Sequence, residues 1–310
     1  MLFFVKWVKI SPPCKDEVKP VNKILKWTAL VFSIPVIAIA AGAGWISLNT
    51  QGRLSKAYPI EPIAFSKQAQ IDLALGERIV QVRNGCVDCH GADLAGKAVM
   101  DNPAMGRIYA SNITPAALKD WSDGEIARAI HHGIGKQNQA LVLMPSHDYQ
   151  YLSESDLASV VAYLRSIKAV EKANQAQKLG PVASMLLATG KAPLLPAEVI
   201  NHQAPFHKKP IEAANAEFGK YLAETACIGC HHADLKGGPI PGGPPDWPPA
   251  KDLTQTGLGS WKEVDFTKAM KEGLNPQGQK LQAPMPVALT AKYTETEIKA
   301  LWAYLQTLTQ

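Results

Sequence analysis

Two five-residue stretches set paired thiols beside an imidazole: Cys86-Val87-Asp88-Cys89-His90 and Cys227-Ile228-Gly229-Cys230-His231. Cys-x-x-Cys alone suits a redox dithiol or half of a zinc site, whereas Cys-x-x-Cys-His is the spacing of covalent haem c attachment. In that chemistry the thiols add to the two haem vinyl groups, and the adjacent histidine reaches beneath the macrocycle as proximal iron ligand. A zinc site wants four N/S ligands, so the two pairs would have to meet and would leave the repetition unexplained. A thioredoxin-like dithiol belongs in a βαβ setting, and the flanking pattern here is helical. Four of the five cysteines sit in these stretches and only Cys14 is spare, which argues against long-range disulfide staples. The expectation is two covalently bound haem c groups.

Each iron then needs a distal ligand. Met144 and Met285 each lie 58 positions after the first cysteine of their stretch (144 − 86 and 285 − 227), and each precedes a proline. A thioether there raises the reduction potential and closes the sixth position. Met100, Met105, Met185 and Met270 read as core filler. His131, His132 and His147 are rival ligands in the first half only, without counterparts in the second. Trp121 and Trp261 read as packing beside the haem. The expected cofactor-binding set is Cys86, Cys89, His90, Met144, Cys227, Cys230, His231 and Met285. The metal ligands within it are His90, Met144, His231 and Met285, and no catalytic residue is assigned.

The elements that must position these residues occur twice. A shift of 141 carries Cys86 to Cys227, Met144 to Met285, and Ser153–Ser166 onto Thr294–Thr307. Each unit of about a hundred residues fits a small single-core domain. A helix leads into each Cys-x-x-Cys-His, followed by a loop, a short amphipathic helix closed by Gly133 or Gly273, and a final helix. That last helix opens on Ser153 or Thr294 with Asp156 or Glu297 three residues on, close to a capping box. The expected fold is all-α. Its boundaries are 66–170 and 211–310 for the two domains, with 171–210 as an interdomain linker.

Ahead of them, residues 28–48 form an uncharged apolar run long enough to cross a bilayer. Lysines crowd its N-terminal side, so the positive-inside rule makes 1–27 cytoplasmic and places everything after Leu48 outside. A cleaved signal peptide is the alternative, but the run exceeds a usual signal core. The net charge of +5 draws much on those lysines, and no basic run with interleaved aromatics marks a nucleic-acid surface.

Each unit resembles a class I cytochrome c domain, with Cys-x-x-Cys-His after a first helix and Met-Pro before the last. Tyr163 and Tyr304 stand where that family crosses its terminal helices, and Gly76 and Gly219 match the small residue at the crossing. The stretch 108–130 further resembles cytochrome subunits of membrane-bound periplasmic alcohol and sugar dehydrogenases. Those usually carry three haems, and this chain has two attachment motifs.

The resemblance implies one-electron transfer, in an electron-transfer protein or subunit rather than a stand-alone enzyme. It would sit in the bacterial inner membrane with its haem domains in the periplasm, within a larger membrane complex. Electrons would pass from a dehydrogenase or quinol-oxidising complex to an oxidase or soluble cytochrome. Its rivals are a dihaem peroxidase, which needs one open iron, a thiosulfate-oxidising dihaem enzyme with a cysteine ligand, and a haem-bearing structural subunit. The more apolar, Pro-rich loop after the second motif leads to the expectation that the second haem has the higher potential.

Overall fold

In the computed structural model, residues 21–243 and 246–309 are described. The expected cytoplasmic segment up to residue 20, with Cys14, lies outside them. The chain divides into two units, residues 1–46 and 47–310. Helix α1 (Val21–Leu54) supplies the described part of the first unit. Its stretch Lys26–Leu54 is long and apolar enough to cross a membrane, with a mean hydropathy of 2.1. Trp27, Phe32, Ile37 and Ile39 stand exposed along it.

The unit after residue 46 takes its regular structure mainly from short helices and holds both repeats. In the first, α2 (Leu73–Arg78) starts where Asp72 accepts the Leu75 N–H at 3.1 Å, and a π-helical turn, Ile79–Arg83, continues it. The first motif itself is the short helix α3 (Cys86–His90). A hairpin of β1 (Lys97–Asn102) and β2 (Gly106–Ala110) comes next, then α4 (Pro115–Leu118), α5 (Asp123–His132), α6 (Ser146–Tyr149) and α7 (Glu154–Ser166). The stretch 171–210 carries β3 (Lys178–Leu179) and α8 (Pro181–Thr189). The second repeat is α9 (Ala216–Ala226), α10 (Ile228–His231), α11 (Gln255–Leu258), α12 (Glu263–Glu272), α13 (Val287–Thr290) and α14 (Glu295–Leu305).

The all-α expectation omitted one feature. Strands β1, β2 and β3 form an antiparallel sheet in that order. Its hairpin turns where Asn102 Oδ1 accepts the N–H groups of Ala104 and Met105, at 3.1 and 2.8 Å. The matching region of the second repeat is rich in proline, which cannot donate to a ladder, and among the described residues only the bridge Gly238–Ala250 forms there. The expected linker is also more than a tether. Ala183, Leu187, Leu194 and Leu195 in it are buried and pack with Tyr58 and Ile134.

Each repeat closes on a crossing of its first and last helices. A Cβ on Gly76 would collide with the Ser159 carbonyl, and one on Gly219 with the Ala300 carbonyl. Around these crossings lie the cores: Leu75, Ile79, Leu157 and Leu164 in the first, Phe218, Leu222, Ile298 and Leu301 in the second. From crossing glycine to first cysteine is 10 positions in the first repeat (86 − 76) and 8 in the second (227 − 219). The π-helical turn and the Asn84-Gly85 turn, with Gly85 left-handed at φ 57°, take up the extra length.

That extra turn faces the second repeat. Arg83 is buried, and its Nε donates to Glu297 Oε1 at 2.5 Å while Nη2 donates to Glu212 at 2.8 Å. Arg78 also pairs with Glu297. The Tyr293 hydroxyl donates to the Arg83 carbonyl at 3.1 Å, and Asn84 Nδ2 to the Thr225 carbonyl at 2.9 Å. In the other direction, Tyr221 donates to Asp156 Oδ2 at 2.6 Å, and Lys209 pairs with Asp156 at 2.9 Å. The two acids expected to cap the final helices therefore part ways. Glu297 completes its capping box as well as binding the arginines, whereas Asp156 is drawn to Tyr221 and Lys209.

Burial opposes ionisation of Glu297, but hydrogen bonds from Arg78, the Thr294 N–H and Arg83 outweigh it and hold the carboxyl below its ordinary value. Stability from this group is fully present above the unfolded value of about 4.3 and is lost as pH falls through the lower folded value. Glu297→Gln should destabilise the protein by about 3 kcal/mol at pH 7, because two arginines lose their counter-charge. Urea unfolding followed by circular dichroism from pH 7 down to pH 3 should show that gap closing at the acid end.

Candidate cofactor sites

Helix α3 begins at Cys86 and ends at His90, which puts the three reactive side chains of the first motif within little more than one turn. The chain then doubles back. Gly96, at φ 82°, donates its N–H to the His90 carbonyl at 2.7 Å, and Gly237, at φ 71°, does the same to His231 at 3.1 Å. This return brings a backbone carbonyl to each imidazole. His90 Nδ1–H donates to the Ser111 carbonyl at 2.7 Å, and His231 Nδ1–H donates to the Lys251 carbonyl, also at 2.7 Å. A carbonyl only accepts, so the proton is on Nδ1 and the Nε2 lone pair is left for a metal. Burial pulls both imidazoles below their ordinary value, partly offset by these bonds, which keeps them neutral at pH 7.

In the first repeat, Cys86, Cys89, His90 and Met144 all line one cavity of about 210 Å³. Its other walls are mainly apolar, among them Ile79, Ile108, Trp121, Ile126 and Leu164. The structure thus brings together the four first-repeat residues singled out from sequence. In the second repeat, Cys227, Met285 and Trp261 pack against the same core. Cys86, Val87, Trp121 and Met144 pack equivalently in the first. His131, His132 and His147 are not among the residues lining the cavity. Instead His132 Nδ1 sits 3.1 Å from His202 Nδ1, with His131 stacked edge-on beside it.

Burial, then the neighbouring cysteine, pushes the Cys86 and Cys227 thiols up to about 12. A redox dithiol needs the opposite shift, towards thiolate, so the dithiol reading loses its chemistry here. Among the described residues, no cluster of three or more histidines, cysteines or carboxylates suits a metal ion alone. What the first site does suit is an apolar macrocycle, and His90 and Met144 on its lining are the residues that would hold an iron.

The cytochrome c family matches the chain at residues 73–168 and again at 216–309. The chain belongs to the cytochrome c family. A cytochrome c carries covalently bound haem c and transfers electrons. The gluconate 2-dehydrogenase cytochrome c subunit of Pantoea cypripedii is 29% identical over 225 residues, covering 61% of this chain and 48% of that protein. The fructose dehydrogenase cytochrome subunit of Gluconobacter japonicus is 25% identical over 298 residues, covering 87% and 59%. The alcohol dehydrogenase (quinone) cytochrome c subunit of Gluconobacter oxydans (strain 621H) is 24% identical over 266 residues, covering 75% and 54%. This cytochrome spans about half the length of the relatives it matches.

Sequence reasoning missed the Ser111 and Lys251 carbonyls, because a main-chain acceptor leaves no mark on residue type. Gly96 and Gly237 were the available signal, being 141 positions apart, as the motifs are. A Cβ on Gly96 would collide with Asn112 N at 2.7 Å, and one on Gly237 with Lys251 C at 2.6 Å. Gly96→Ala and Gly237→Ala should each cost about 2 kcal/mol through left-handed strain and this clash. Gly190→Ala, also left-handed but open on all sides, should cost less. Thermal unfolding midpoints of the three variants measure the difference.

Proposed function

We propose that this cytochrome c holds two haems, bound through Cys86 and Cys89 in one repeat and Cys227 and Cys230 in the other. His90 and Met144 ligate the first iron, His231 and Met285 the second. Bound haem c supplies a reversible one-electron couple between ferric and ferrous iron. The chain's own residues fix where that couple sits and at what potential. Ser111 and Lys251 lock the imidazole tautomers, the two methionines would ligate the irons and raise the potentials, and the apolar walls exclude water. The observation that carries this reading is the repeated imidazole, held at Nδ1 by a carbonyl, with His90 and Met144 on one cavity.

The protein acts as the electron-transfer subunit of a membrane-anchored periplasmic dehydrogenase complex, accepting single electrons from the dehydrogenase and passing them to a respiratory acceptor. Support comes from the three relatives, each named as a dehydrogenase cytochrome subunit. Residues 28–48, within helix α1, are the single-pass inner-membrane anchor, with residues 1–27 cytoplasmic and domains 66–170 and 211–310 in the periplasm. Thiol reagents should therefore label Cys14 only after the membrane is permeabilised, and labelling of intact cells would overturn this topology.

Denaturing mass spectrometry of protein matured in a host competent for haem c attachment should give the polypeptide plus two haem masses. Met144→Ala and Met285→Ala should each remove about half of the methionine-to-iron charge-transfer absorbance and open one haem to carbon monoxide. The wild-type protein should resist carbon monoxide at both haems. Binding by the wild type would favour a peroxidase-type site instead.

A further inference from the structure

The duplication is reciprocal at its interface, and it differs there in one buried charge. Each Met-Pro is followed by a short helix, α6 or α13, and each of these packs on the entrance of the other repeat's attachment motif. From α13, Leu289 presses on Gly85, one residue before Cys86, where a Cβ would strike its Cδ1. From α6, Asp148 presses on Gly229, the residue before Cys230, where a Cβ would strike its Oδ2. Asp148 and Leu289 are equivalent residues, 141 positions apart. The first motif has a carboxylate of its own at the position of Gly229, Asp88, but it is exposed, so one motif meets a methyl group and the other a buried carboxylate.

That carboxylate is poorly compensated. Asp148 is 7% exposed, and its Oδ1 is buried without a hydrogen-bond partner. His147 Nε2 lies nearest among basic groups at 3.6 Å, and burial keeps that imidazole below its ordinary value, hence uncharged at pH 7. Around Asp148, the groups that feel its charge are Tyr149 and Tyr151 on its own side, and Cys227 and Cys230 across the interface. The remaining neighbours are engaged elsewhere. On α5, His131 and His132 face each other and His202, and Arg128 binds main-chain carbonyls. On α9, Glu224 lies 3.6 Å from Lys220 and Tyr221 binds Asp156. Glu198 pairs with Arg53, and His231 is tied to Lys251. Desolvation alone lifts the Asp148 carboxyl to about 7.

We propose that Asp148 is a redox-linked proton site: it takes up one proton from solvent when the second haem gains one electron, and releases it when the electron leaves. This rests on the two-haem reading. The balance is one electron from the donor dehydrogenase, one proton from water, and conversion of carboxylate to carboxylic acid. An ionised Asp148 favours the more positive ferric site and lowers its potential, and protonation removes that bias. The apolar loop around the second motif raises the potential, and Asp148 counteracts it once ionised. The higher potential of the second haem is then a property of acid pH. The first haem, with Leu289 in the equivalent place, has no such proton.

Potentiometric titration of the two-haem protein between pH 5 and pH 9 tests this, with Met285→His labelling the wave of the second haem by lowering its potential. The second haem's potential should fall as pH rises around 7, by up to tenfold in the reduction equilibrium per pH unit, about 59 mV for one electron. The first should stay level. Asp148→Asn should flatten the second response at the high, acid-side value, and Asp148→Leu should do the same with the packing of Leu289. A level second wave in the wild type, or a slope surviving in both variants, overturns the proposal. A protein carrying fewer than two haem masses overturns the two-haem reading instead.

Discussion

A guanidinium buried where its own domain offers no acid must find one elsewhere, and Arg83 finds it in the second repeat. Its Nε is held by Glu297, its Nη2 by Glu212, and its plane lies 5.3 Å from the Phe218 ring centroid. The cost of desolvating this cation is offset only while both repeats are docked. Three residues later comes Cys86, so the same contact that joins the domains also orients the first attachment motif. Tyr293, reaching back to the Arg83 carbonyl, and Asn84, reaching out to Thr225, tie the entrances of the two motifs together.

Around this joint the two halves play equivalent roles with unlike residues. Final-helix acids Asp156 and Glu297 both turn to the opposite repeat, one to Tyr221, with Lys209 of the intervening stretch beside it, the other to two arginines. Short helices α6 and α13 both lean on the opposite motif. Duplication supplied two copies of one surface, and substitution made them complementary, as a self-associating pair becomes when its partners are fused. The chemistry common to both copies stayed the same: a glycine return, a carbonyl on Nδ1, and a methionine in a loop before a short helix.

Much of this was legible before the fold was known, because the candidate ligands are side chains with distinctive chemistry at fixed spacing. Cys86, Cys89, His90 and Met144 could be singled out by type and position, and the cavity they line is the physical reason for their spacing. The capping residues Ser153 and Thr294 and the closing glycines Gly133 and Gly273 were legible for the same local reason. The hairpin at 97–110 was not, since its strands are short and one pairs with Lys178–Leu179, some seventy residues away. Nor could Asp148 be told from a solvated loop carboxylate, since its burial comes from packing against Gly229 of the other repeat. The offset of two residues between Gly76 and Gly219 was visible as an anomaly, but only the π-helical turn explains it.

The stretch 171–210 has a consequence for how such a chain can change over time. Strand β3 completes the first repeat's sheet, His207 bridges to Ser153, and Lys209 neutralises Asp156. The stretch between the two copies is built into the first of them, while Arg78 and Arg83 depend on the second. Neither half is now a free-standing module that recombination could lift out whole. Such a seam works as a ratchet: losing either copy would strip buried charges of their partners, so it is far more disruptive than change on the faces that point away from it.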